Sequence, residues 1–70
     1  MEILLEIREY LIQEDGKKYS VRHNMHLDTL YINEILLNEA FPDRNTLVFF
    51  DAPDDFKKKV FDSIKKNKNG

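Results

Sequence analysis

Three sets of side chains in this sequence could do chemistry, and each must first be weighed against an ordinary structural use. His23 and His26 are the only histidines. A three-residue spacing points them to opposite faces of a strand, where they cannot share a metal; on a helix they could. No cysteine joins them, and carboxylates alone do not specify a transition metal. No metal or other cofactor is therefore expected, and His23 reads as a partly buried hairpin residue. Asp51, Asp54 and Asp55 cluster closely enough to suggest a magnesium site or paired carboxylates for acid–base work. The same acids at the start of a helix would offset its positive end and cap its free amides, which accounts for all three without a ligand. Ser20 and Ser63 sit in plain strand and helix contexts with no base partner, so no activated nucleophile, and no enzyme, is expected.

The charges are sorted along the chain. Residues 28–55 hold seven acids against one base, and residues 56–70 hold six lysines against one acid, so the net charge of −2 conceals a dipolar molecule. Sorting of this kind steers partners of opposite sign. Lys57, Lys58, Lys59, Lys65, Lys66 and Lys68, with Phe56 and Phe61 among them, have the mixture that phosphate and base contacts use. Both phenylalanines also fall on a helical core stripe, however, and lysines suit a helix C-terminus. Direct binding of nucleic acid is thus the weaker reading. The acids Glu34, Glu39, Asp43, Asp51, Asp54 and Asp55 have only Arg44 nearby in sequence to neutralise them. Carboxylates spaced over a rigid surface can imitate a row of phosphates and occupy the basic groove of a nucleic-acid-binding protein. These six residues form the candidate protein-binding surface; a merely solubilising surface, or pairing with the lysine tail, is the plain alternative.

The elements that would position these residues follow from periodicity and turn chemistry. Ile3 to Gln13 fits either a helical stripe or a strand. Glu14-Asp15-Gly16 suits a three-residue hairpin loop that sets Leu11 opposite Tyr19, Ile7 opposite His23 and Leu5 opposite Met25, giving one nearly apolar face. A two-residue Asp15-Gly16 loop would slip the register by one and mix the faces. The hairpin, residues 2–13 and 17–26, is preferred to an N-terminal helix capped by Gly16. Asp28 can cap a helix from Thr29 to Ala40. The apolar residues of that segment surround most of the helix circumference, so one face must meet a further element or a second chain. Leu30, Tyr31, Leu36, Leu37 and Phe41 are accordingly the expected dimer face. Pro42 to Asn45 reads as a turn and Thr46 to Phe50 as a short strand central in its sheet. Asp51 and Pro53 open a last helix with Phe56, Val60, Phe61 and Ile64 inward, and residues 65–70 are expected to fray. The order β-β-α-β-α implies a small α+β domain spanning residues 1–70, a three-stranded sheet with two helices on one face.

Seventy residues hide only about 60% of the unfolded surface, and chains this small lean on disulfides, metals or oligomerisation. With no cysteine, a homodimer is the expected support. No apolar run approaches the roughly 18 residues of a membrane span, and the start lacks the basic flank of a signal peptide, so a cytoplasmic location is expected. In length, in lysine, asparagine and phenylalanine content, and in its lack of cysteine and of catalytic motifs, the chain resembles small phage host-takeover proteins, a loose class that includes DNA-mimic inhibitors of bacterial histone-like proteins. The resemblance implies action by binding, often as a dimer, inside a bacterial host; the net charge of −2 departs from strongly acidic DNA mimics. The expected function is thus a non-enzymatic protein-binding inhibitor or regulator whose acidic surface blocks a basic nucleic-acid-binding host protein. The alternative is a small nucleic-acid-binding regulator that uses Arg22, Arg44 and the lysine helix.

Overall fold

Asp15 and Gly16 both take positive φ, 52° and 78°, the signature of a two-residue type I′ turn whose twist matches that of the strands it joins. That turn pairs β1 (Ile7–Glu14) with β2 (Lys17–Asn24) so that Glu14 faces Lys17, Ile12 faces Tyr19 and Tyr10 faces Val21. The expected three-residue loop is corrected by one residue of register, and Leu11 lies opposite Ser20 instead of Tyr19. The physical reason lies in β1, which carries apolar residues at both parities: Ile7 and Leu11 on one face, Tyr10 and Ile12 on the other. Either face can be buried, so the turn decides. It sends Tyr10 and Ile12 inward, and Leu11 is left 71% exposed.

The computed structural model describes residues 1–67. After β2 the chain turns tightly: the Asn24 side-chain oxygen accepts hydrogen bonds from the backbone N–H groups of His26 and Leu27, each at 3.0 Å. Asp28 sits at φ 54°, a left-handed conformation that an acid tolerates but that a helix N-cap does not use. The expected helix over residues 29–40 is overturned. Thr29–Leu36 is a third strand, β3, antiparallel to β2, with Ile32 beside Val21 and Tyr31 beside Arg22. Thr29, Tyr31, Ile32 and Ile35 are β-branched or aromatic. Apolar residues that surround a helix are, on a strand, simply apolar residues on both faces: Leu30 and Ile32 point one way, Tyr31 and Ile35 the other.

A loop follows in which Asn38 again accepts two backbone N–H bonds, from Ala40 and Phe41. Arg44 N–H then donates to the Phe41 carbonyl at 2.8 Å, closing a turn with Pro42 in its second position. Strand β4 (Thr46–Phe49) pairs antiparallel with β3 and ends the sheet, whose order is β1-β2-β3-β4. It was expected at the centre; it is an edge, with all four residues exposed. The expected β-β-α-β-α domain is therefore corrected to β-β-β-β-α, a four-stranded meander with one helix.

That helix, α1 (Asp54–Asn67), is the element that the stripe Phe56, Val60, Phe61 and Ile64 predicts. Lys57 N–H donates to the Pro53 carbonyl at its start, the first turn holds Asp54 and Asp55, and the last holds Lys65 and Lys66, so charge opposes the macrodipole at both ends. The segment expected to fray from Lys65 is helical as far as Asn67; residues 68–70 lie outside the described residues. The core lies between α1 and one face of the sheet: Tyr19, Val21, Ile32, Ala52 and Val60 are buried, with Tyr10, Ile12, Leu30, Phe50, Phe56 and Ile64 packed around them. Tyr19, Phe50 and Phe56 meet pairwise with centroids 5.0–5.3 Å apart, and their tilted and edge-on contacts pin the helix to the sheet. Among the described residues no helix is long and apolar enough to cross a membrane.

Candidate functional site

The six candidate acids are distributed over three neighbouring parts of the fold. Glu34 lies in β3 opposite Val48, on the face that carries the helix; Glu39 and Asp43 lie in the loop joining β3 to β4; Asp51 follows β4, and Asp54 and Asp55 form the first turn of α1. All come from the segment from β3 to the first turn of α1, and all but Glu34 are exposed. Among the described residues none of the six is ion-paired. Acids nearer the N-terminus do have cationic neighbours: Glu6 approaches Arg8 at 3.8 Å, Glu9 meets Arg22 at 3.1 Å, and Glu14 meets Lys59 of α1 at 3.9 Å.

The expected dimer face does not survive as one surface, because it was drawn on a helix. On β3, Leu30 turns inward and packs against the core, while Tyr31 turns to the sheet's open face, where it is 50% exposed and its ring lies 5.3 Å from that of Phe49. Leu36 ends the strand, and Leu37 and Phe41 lie exposed in the following loop, where the Arg44 guanidinium sits 5.6 Å from the Phe41 ring centroid. The cations of the nucleic-acid reading are also separated. Arg22 is on the open face, paired with Glu9, Arg44 is in the β3–β4 loop, and Lys57, Lys58 and Lys59 are on a helix that packs against the opposite face.

The two histidines part company. His26 is exposed in the turn, whereas His23 is buried on the helix side with its ring 5.6 Å from and perpendicular to that of Phe61. Its Nε2 lies 2.7 Å from Asp28 Oδ1, and its buried Nδ1 has no hydrogen-bond partner among the described residues. An Nε2–H donated to the carboxylate leaves Nδ1 as an idle acceptor. This pair borders a cleft of about 380 Å³ that Arg8, Tyr10, Met25, Ile64 and Lys65 complete. Among the described residues no serine or cysteine lines it. The pair ties the left-handed Asp28 back to β2. Sequence reasoning missed it because Asp28 was assigned to a helix cap, although an Asn24-X-X-X-Asp28 spacing before a β-rich run is a turn signal.

Also missed was the open face, where Ile7, Leu11, Tyr31, Leu47 and Phe49 are each 47–71% exposed. Periodicity could have found it only with the register known. Comparison with known proteins gives no match to a family model, to a curated protein or to a solved structure.

Proposed function

We propose that this chain is a non-enzymatic binding protein that presents the carboxylates of the segment from β3 to the first turn of α1 to a basic surface on a partner protein. The observation that carries the reading is the contrast in pairing: Glu34, Glu39, Asp43, Asp51, Asp54 and Asp55 lack ion-pair partners among the described residues, while Glu6, Glu9 and Glu14 have them. Glu34 is held on a strand, Asp43 in a proline-bearing turn, and Asp54 and Asp55 at a helix start, so the fold sets the spacing of these four before any partner arrives. Preorganised charge of this kind raises association rate and selects partners by sign. A protein that binds nucleic acid has the complementary surface, and occupying it would block access to phosphate. In its full form the reading is a phage-encoded inhibitor acting in the cytoplasm of a bacterial host.

The test uses a purified bacterial histone-like protein and a labelled DNA duplex. The chain should displace the DNA at low salt and lose that ability as salt shortens the screening length below about 8 Å. Reversing Asp54, Asp55 and Glu39 together to lysine should abolish displacement while leaving the circular dichroism spectrum intact. Displacement that survives the triple reversal would sink the acidic-surface reading. Binding of the chain to the duplex itself would favour the lysine helix.

A further inference from the structure

Strand β4 is an edge without the usual protection. Natural edge strands carry lysine, proline or inward charge that discourages pairing with another chain. At the other edge β1 has Arg8, Glu9 and Glu14, but Thr46-Leu47-Val48-Phe49 has no charge and no proline, and every one of its residues is exposed. The register shows which backbone groups are free. Phe50 N–H donates to the Ile32 carbonyl at 2.9 Å, so Ile32 and Phe50 form a hydrogen-bonded pair. Such pairs alternate in an antiparallel ladder; Val48 and Thr46 therefore bond to Glu34 and Leu36, while Leu47 and Phe49 direct their N–H and C=O groups away from β3.

We propose that a second copy of this chain pairs antiparallel along β4, Leu47 of each copy facing Phe49 of the other, to make one continuous sheet of twice the width. Two observations select this occupant and geometry. A two-fold axis perpendicular to the sheet keeps both open faces on the same side, so open-face residues must meet open-face residues; pairing Leu47 with Phe49, and Val48 with itself, satisfies that and uses the outward groups in reciprocal hydrogen bonds. Of the flanking charges, Asp43 and Arg44 precede the strand and Asp51 follows it; antiparallel pairing brings each Arg44 towards Asp51 of the other copy, whereas parallel pairing would set Asp51 beside Asp51. This proposal does not rest on the acidic-surface reading, and it withdraws Asp51 from the acids left free for that surface.

The test is sedimentation equilibrium with amide hydrogen exchange on the intact chain. A dimer is expected in which the Leu47 and Phe49 amides exchange slowly. L47P removes only an outward N–H, so the fold should persist and the dimer dissociation constant should rise at least about tenfold. L11K, on the far side of the same open face, should leave association unchanged. A wild-type monomer overturns the proposal, as does a dimer with fast exchange at Leu47 and Phe49. Dissociation by L11K overturns it as well, in favour of face-to-face packing. If L47P unfolds the chain, exchange at those two amides in the wild type still decides.

Discussion

Asp28 shows how one residue can redirect a chain. Its backbone is left-handed, and its carboxylate reaches back to His23 Nε2 at 2.7 Å. Alanine at this position would keep the strain and lose the acceptor, since a Cβ-bearing residue without a local polar side chain is costly there. We expect Asp28→Ala to lower stability by about 1–2 kcal/mol in urea unfolding. Asp28→Asn retains an oxygen for His23 and the tolerance of left-handed φ, so its loss should stay within about 0.5 kcal/mol, the range of an ordinary exposed substitution. Equal losses in the two variants would mean that charge, and not turn geometry, is what the residue supplies. The buried and unpartnered Nδ1 of His23 is tolerated next to the Phe61 edge because the same ring anchors this turn.

At the scale of the element, the Asp15-Gly16 turn sets the register of the whole meander. A Cβ added at Gly16 would meet nothing within 4 Å, yet the residue sits at φ +78°. Gly16→Ala should therefore cost about 1–2 kcal/mol through backbone strain alone, again read from urea unfolding, while Gly16→Asn should cost less. A neutral alanine variant would point to a different loop from the type I′ turn described above. The helix is held differently, by packing more than by its own propensity. Its inward Phe56, Val60 and Ile64 seat on Tyr19, Phe50 and Ile32, and a helix of this length is marginal when isolated in water.

For the whole molecule, the dominant fact is that one face of the sheet is covered and the other is not. The fully buried set is small, Tyr19, Val21, Ile32, Ala52 and Val60, while Ile7, Leu11, Tyr31, Leu47 and Phe49 are left to solvent on the other side. A chain with so small a core gains stability when a second copy binds only its folded form, by mass action. The melting temperature should accordingly rise with chain concentration in the wild type and lose that dependence in L47P. A wild-type midpoint that is flat across concentrations would argue against association of any kind. Charge is arranged on the same scale: the ion pairs involve Glu6, Glu9 and Glu14, while the acids from Glu34 to Asp55 have no ion-pair partner among the described residues.

Local chemistry was legible wherever the relevant partners lie close in sequence. The hairpin around Gly16, a turn at Pro42, a strand from Thr46 and a last helix with Phe56, Val60 and Ile64 inward were all readable, because each rests on glycine, proline or a single period. The acidic candidates could likewise be named by position, since clustering of charge along the chain needs no fold. Residues 29–36 could not be assigned in this way. Their apolar residues satisfy two periods, and the choice is made by hydrogen bonds to β2 on one side and β4 on the other, which no local propensity contains. The same non-local pairing moved β4 from centre to edge and dispersed the expected dimer face, while the first hairpin shifted by one residue because its turn has two residues instead of three. By itself, then, the sequence determined the charge segregation along the chain, the positions of turns at Gly16 and Pro42 and the last helix; only the tertiary structure decided the turn at Asn24–Asp28, strand register, strand order and which apolar face stays open, because those depend on backbone groups meeting across the sheet.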